Sequence, residues 1–346
     1  MRYRLFGRTG LRVSELALGT MTFGEEWGWG APKDEARRIF DAYAEAGGNF
    51  IDTANRYTEG TSERWVGEFV AADRDRFVVA TKYTLFDRKG DPNSAGSHRK
   101  NLVRSLEASL ARLGLPYVDV LWVHAWDELT PVEEVLRGLD DVVRAGKALY
   151  VGVSDTPAWV VSRAQAIAEL RGWTAFAGLQ VEYSLARRDI ERELLPMARA
   201  HGMAVTVWGA LAGGVLTGKY RADRTAEDGA ARYAGNPAAQ RLGGRYLALG
   251  ETVRAVAAEA GLSPAQVALA WVRAQDPAIL PILGARRVEQ VRDALGVTDR
   301  ALAPEHVARL SAAAPFEPGF PADFLAQPNI RELVHAGMRD AIDAPR

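Results

Sequence analysis

A chain of 346 residues carrying 43 basic and 44 acidic side chains, formal charge −1, has no global field that favours nucleic acid or an anionic membrane. Its apolar content, 48%, is ordinary for a soluble globule and supplies a large core, for one α/β barrel of roughly 250–300 residues or two smaller domains. With no cysteine, disulfides, thiolate metal sites and thiol nucleophiles are excluded. Met1-Arg2-Tyr3-Arg4 is not followed by the apolar run of a signal peptide, and no stretch approaches the ~20 apolar residues of a membrane span. A soluble, cytoplasmic protein is the expectation.

In chain order, Arg2–Phe6 and Leu11–Val13 flank Gly7-Arg8-Thr9-Gly10 and read as a hairpin. Glu15–Leu18 leads into Gly19-Thr20-Met21. Ala36, Ile39, Phe40, Tyr43 and Ala44 have helical spacing within Lys33–Gly47. Phe50–Tyr57 is a short apolar run that ends on Asp52 and passes into a polar loop. Ser62–Ala72 is a helix with Ser62 at its cap position. Phe77–Ala80 is a strand running into Thr81, Lys82 and Tyr83. His98–Leu113 is a helix, and Val118–Val123 a strand ending on His124.

Pro131–Ala145 is a helix with proline in its first turn. Leu149–Val153 is a strand ending in Ser154-Asp155, followed by the helix Pro157–Arg171. Gly178–Val181 is a strand, Ile190–His201 a helix, and Ala204–Val207 a strand entering Trp208-Gly209. A Gly/Ala/Arg-rich insertion, about 212–245, interrupts this rhythm. The helices Leu247–Ala260 and Ser263–Arg273, the strand Ile279–Leu283 and the helix Val288–Leu295 complete it.

Apolar strands alternating with amphipathic helices predict a parallel sheet buried on both faces, and eight such units predict closure into a single-domain (β/α)8 TIM barrel. The N-terminal hairpin is placed to plug its bottom. The tail, 315–346, is decoration over a face or disordered. In such a barrel the chemistry sits at the carboxyl ends of the strands. Asp52, Tyr57, Lys82 and His124 fall there or just beyond. Singly, each has a structural reading: a turn cap, a loop aromatic, a surface charge, a core histidine. Together they suit proton delivery to a carbonyl oxygen. A phenol with a reference pKa near 10 needs help to give up its proton, and an ammonium beside it lowers that value. Asp52 would hold Lys82 in place, and His124 would orient the substrate oxygen. A metal is not indicated, since neither a His-x-x-x-His spacing nor a carboxylate cluster is present. A Schiff base on Lys82 stays open.

These segments, with Gly152-Val153-Ser154, Gln180–Leu185, Trp208–Tyr220 and Pro281–Gly296, resemble the aldo-keto reductase family over nearly the whole chain. The pattern looks most like the bacterial branch near the potassium-channel β-subunits. The resemblance implies an aldehyde or ketone substrate reduced by hydride from a nicotinamide, NADPH rather than NADH, without a metal. Tyr57 would be the general acid, tuned by Lys82 and Asp52. No Gly-x-Gly-x-x-Gly follows a strand, so a Rossmann site is not expected.

By position, Gly19, Thr20 and Met21 would line the nicotinamide side with Asp52. Ser154 and Gln180 would bind its carboxamide, and Trp208 would stack on the ring. Gly209, Leu211, Gly213, Gly218 and Lys219 would hold the pyrophosphate. Gly284 and Arg286 would take the 2′-phosphate and Gln290 the adenosine. The family often carries Asn where this chain has Asp155, Val181 and Ala294. Trp27, Trp29, Tyr83, Phe86 and Trp126 are expected to form an aromatic substrate pocket. No nucleic-acid or membrane partner is expected, and a homo-oligomer is left open. A cofactor-sensing regulatory subunit with little turnover is the alternative function.

Overall fold

A computed structural model of the chain describes residues 1–217 and 244–343. Strands β1 (Tyr3–Leu5) and β2 (Arg12–Ser14) form an antiparallel hairpin with Tyr3 opposite Ser14. Eight parallel strands then close a barrel. They are β3 (Ala17–Gly19), β4 (Phe50–Asp52), β5 (Val78–Tyr83), β6 (Val118–Val123), β7 (Ala148–Ser154), β8 (Gly178–Glu182), β9 (Ala204–Trp208) and β10 (Ile279–Gly284). They pair in sequence order, and β10 returns to β3 with Gly284 beside Gly19. This is the (β/α)8 TIM barrel expected, with its N-terminal hairpin.

Side chains alternate across a strand, so each barrel strand supplies two cores. Leu18, Ile51, Val79, Leu121, Val153, Leu179 and Val205 point outward and pack against the helices. Ala17, Phe50, Val78, Ala80, Val120, Trp122, Ala204 and Leu280 point inward and fill the barrel with Phe6 and Val13. Phe6, from the hairpin, is fully buried and stands edge-on to Phe50 at 5.7 Å and to Trp122 at 6.0 Å. The hairpin is therefore the bottom plug. Room for it comes from glycine: a Cβ on Gly178 would meet Phe6 Cζ at 2.5 Å, and one on Gly152 would meet Trp122 Cζ3 at 2.3 Å.

The helices Lys33–Glu45, Thr61–Val70, Arg99–Leu113, Val132–Arg144, Ala158–Arg171 and Leu194–His201 lie between successive strands. Ser62 is not a cap. Gly60 holds that position with φ 84, and the Ser62 hydroxyl instead donates to the Thr20 carbonyl at 2.8 Å. His98 caps the next long helix, its Nδ1 accepting from the Asn101 amide. Ser263 caps Pro264–Gln275 through a reciprocal box with Gln266, a spacing readable in the sequence. Of the insertion, Ala212–Thr217 is a short 3-10 turn, 218–243 lie outside the described residues, and a helix runs over Gly244–Ala260. The tail carries two short helices, Ala322–Leu325 and Pro328–His335, mostly exposed. Among the described residues no single helix is long and apolar enough to cross a membrane.

Candidate active site

The alternation that builds the inner core continues past its last apolar layer. On β4, Phe50 faces inward, and so does Asp52. On β5, Val78 and Ala80 are followed inward by Lys82. The same parity carries β6 to His124, β7 to Ser154, β8 to Gln180 and Glu182, and β9 to Trp208. One rule of period two thus delivers polar side chains from six strands to one end of the barrel. Tyr57 comes from the 3-10 turn Tyr57–Gly60 after β4, where Thr58 and Glu59 have φ of 46 and 55. Non-glycine residues reach that region at a cost, and the Thr58 hydroxyl, donating to the Phe23 carbonyl at 2.6 Å, helps hold the turn.

The three protons of the Lys82 ammonium are all placed. Nζ donates to Asp52 Oδ2 in a buried ion pair, to the Thr53 carbonyl at 2.9 Å, and to Tyr57 Oη at 2.9 Å. Gln180 Nε2 donates to the other Asp52 oxygen at 3.0 Å. Because Tyr57 Oη accepts from Lys82, its own proton is directed elsewhere. The Tyr57 and His124 rings meet edge-on at 5.8 Å.

Burial is the largest influence on each titrating group. It pushes the Tyr57 phenol up, against the Lys82 ammonium, which pulls it down; the net direction is upward. The sequence expectation of a lowered phenol pKa is therefore corrected, because desolvation of the phenolate outweighs the cation. For Lys82, burial works against the charge, yet Asp52 and Tyr57 overcome it and hold the ammonium above its ordinary value. His124 is lowered well below the ordinary imidazole range by burial and by Lys82, so it is neutral at neutral pH. Among the described residues its Nδ1 is buried without a partner, which leaves Nε2 as the nitrogen open to a ligand.

Above these residues lies a cavity of about 670 Å³. Its wall holds Trp27, Arg56, Tyr57, Leu85 and His124, and also Gly284, Arg286 and Gln290. Gly19, Met21, Asp52, Ser154, Gln180, Trp208, Gly209, Leu211 and Gly213 line it as well. Gly218 and Lys219 lie outside the described residues. The wall suits an extended dinucleotide. Gly284 faces open space where a Cβ would stand, and Gly209, Gly213 and Gly214 turn at positive φ, leaving backbone close to the cavity.

Several expected lining residues lie elsewhere. Tyr83 is fully buried in the outer core, one residue out of phase with Lys82, with its hydroxyl donating to the Ser97 carbonyl. Trp126 packs against that same core. Phe86 is 39% exposed and stacks on the Arg56 guanidinium at 4.7 Å. Trp29 packs on Trp27, ring centroids 5.6 Å apart, and of this pair Trp27 forms the wall. Thr20 is buried, its hydroxyl bonded to the Asp52 carbonyl and to Ser62, so it fixes the loop instead of facing a ligand. The Gln290 carbonyl oxygen accepts from the Arg286 amide at 2.8 Å, which ties up half of that side chain in the turn.

Val181 points outward into the core, so its departure from the family pattern does not touch the cavity. Asp155 and Ala294 do line it. Arg56, Leu85, Asp155 and Glu182 were not singled out as site residues from the sequence. Parity alone would have placed Glu182, two residues beyond Gln180.

Asp52, Tyr57, Lys82 and His124 thus form a tetrad at one end of a closed barrel, beside this cavity. The aldo/keto reductase family profile matches residues 15–315, and the chain belongs to that family. It is 40% identical to norsolorinic acid reductase of Emericella nidulans over 91% of this chain and 82% of that protein. It is 37% identical to the aryl-alcohol dehydrogenase [NADP(+)] of Phanerodontia chrysosporium, over 94% and 89% of the two chains. A putative aryl-alcohol dehydrogenase of Saccharomyces cerevisiae is 36% identical over the same shares. These relatives are fungal. The protein is an oxidoreductase acting on carbonyl or alcohol groups, in a family that uses nicotinamide cofactors.

Proposed function

We propose that this protein is an NADPH-dependent reductase of aromatic aldehydes or ketones, also able to oxidise the corresponding alcohols, with Tyr57 as proton donor. The aromatic preference follows the names of the relatives and the Trp27 wall beside Tyr57. The single observation that carries the reading is the Lys82–Tyr57 bond of 2.9 Å. Lys82 fills the acceptor side of Oη and leaves the phenol proton to a ligand beside His124. The upward-shifted phenol keeps that proton at neutral pH, and a transition state that builds negative charge on the substrate oxygen draws it off. Neutral His124, through Nε2, holds the same oxygen in place. Asp52 and Thr53 keep Lys82 from moving, so the ammonium faces the phenolate as it forms. When bound, the cofactor supplies the hydride. Ser154, Gln180 and Trp208 would hold its nicotinamide, Gly19 and Met21 its flank, the Gly209–Gly213 turn its phosphates, and Arg286 the 2′-phosphate.

Loss of reduced-nicotinamide absorbance on adding an aryl aldehyde tests the activity, and an unchanged signal across aryl and alkyl carbonyls would refute it. Arg286→Ala is expected to raise KM for NADPH by about tenfold or more while leaving KM for NADH nearly unchanged, from loss of charge-assisted bonds to the extra phosphate. Equal changes for both cofactors would remove Arg286 from that role.

A Schiff-base mechanism is disfavoured by Lys82 itself. A nucleophilic amine needs its proton off, whereas this ammonium is raised and saturated with three acceptors. A regulatory subunit with little turnover rests on likeness to the channel β-subunit branch, and the complete tetrad argues against it.

A further inference from the structure

Asp155 follows β7 and lines the cavity, in a left-handed backbone conformation of φ 42 that aspartate tolerates better than most residues. The Trp208 and Ser154 side chains lie near enough to its carboxyl to favour the charged form. Its backbone amide donates to the Gln180 carbonyl at 3.2 Å. Asp155 thus lies among Ser154, Gln180 and Trp208, the residues expected to grip the nicotinamide. What distinguishes it is charge. Asp52 is neutralised by Lys82, and Glu182 is paired with Arg187 at 3.3 Å. Among the described residues no Lys or Arg forms an ion pair with Asp155. Its field nevertheless reaches across the cavity, since it contributes to holding the Tyr57 phenol up.

A nicotinamide ring is cationic when oxidised and neutral when reduced. An unpaired carboxylate beside it acts on one redox state only. We propose that Asp155 is a residue that sets cofactor redox preference in this protein: its carboxylate selectively stabilises the oxidised nicotinamide and so biases the bound pair toward hydride donation, that is, toward carbonyl reduction. The inference rests on the cofactor placement given above.

It also makes the bias a function of pH. Burial among the cavity walls raises the Asp155 carboxyl to about 6, Trp208 pulls it back, and Glu182 adds a further upward push. Lys82 faces it from β5 and draws it down; Asp52 and Tyr57 stand beyond that ammonium, and His124 is neutral. Above about 6 the carboxylate is charged and the preference for the oxidised form is present. As pH falls through that value it is lost.

The test is equilibrium binding of NADP+ and of NADPH to the full chain, followed by tryptophan fluorescence, at about pH 8 and about pH 5 so as to bracket the carboxyl. Asp155→Asn keeps the shape and the acceptor oxygen and removes the charge. At the higher pH it is expected to weaken NADP+ by roughly tenfold, with NADPH changed far less. Wild-type protein, needing no variant, should show its NADP+/NADPH affinity ratio drop toward the variant's value at the lower pH. Equal weakening of both cofactors in Asp155→Asn, or a wild-type ratio flat with pH, would overturn the inference and leave the cofactor site standing. Failure of wild-type protein to bind either cofactor would overturn both.

Discussion

Replacing Tyr57 with Phe is expected to lower kcat for an aryl aldehyde by about three orders of magnitude, the scale of a lost general acid, with cofactor affinity unchanged. The substitution removes one oxygen. The ring keeps its edge-on contact with His124 at 5.8 Å and its place in the turn after β4. Lys82 keeps Asp52 and Thr53 as acceptors, so the ion pair survives. What disappears is the hydroxyl bonded to that ammonium. The two constants separate the readings. A fall in kcat with an unchanged cofactor Kd means a group used in the transition state, whereas a matched loss of cofactor affinity would mean that the ring merely shapes the cavity. Full turnover in Tyr57→Phe would remove this residue from the chemistry.

Lys82→Met should be the more damaging change, because it fails in two ways. Lys82 and Asp52 are both buried, with side-chain exposures of 0% and 4%. Removing one member of a buried pair strands the other, at about 3–5 kcal/mol. Urea unfolding should register that loss. Adding Asp52→Leu removes the stranded carboxylate and is expected to recover most of the stability, since a buried pair replaced by apolar groups is often near neutral. Turnover should not return in the double variant, because the phenol has lost the cation that faces its developing charge. Recovery of both together would mean that the pair acts through folding alone.

The barrel was legible in the sequence because its signals are redundant. Eight apolar runs, each followed by an amphipathic helix, fit one architecture, and a slip of a residue or two at any boundary leaves the count intact. Asp52, Lys82 and His124 were legible for a related reason: each follows an apolar strand on the parity of its inward residues. The aromatic pocket was not. Tyr83 and Lys82 are adjacent in sequence and lie on opposite sides of the barrel wall, which proximity to a strand end alone does not reveal. Trp126, Phe86 and Trp29 sit in loops, where no period fixes direction. Thr20 looked like a ligand contact, but its hydroxyl is consumed by Asp52 and Ser62, residues far away in sequence.

Asp155 is the converse case. In sequence it reads only as a departure, at a position where the family often carries Asn. In the structure it remains on the cavity wall, near Trp208 and Ser154, and the departure is an added charge. The direction of the Tyr57 shift was likewise beyond the sequence, since neighbours can be guessed from strand parity but the depth of burial cannot.

The central claim is that this site moves a hydride between a nicotinamide and a carbonyl carbon held against Tyr57. A single-turnover reaction with reduced cofactor carrying deuterium at the transferring position of C4 tests it most directly. The alcohol formed from an aryl aldehyde should carry one deuterium on its carbinol carbon. Alcohol formed without that label would contradict the account.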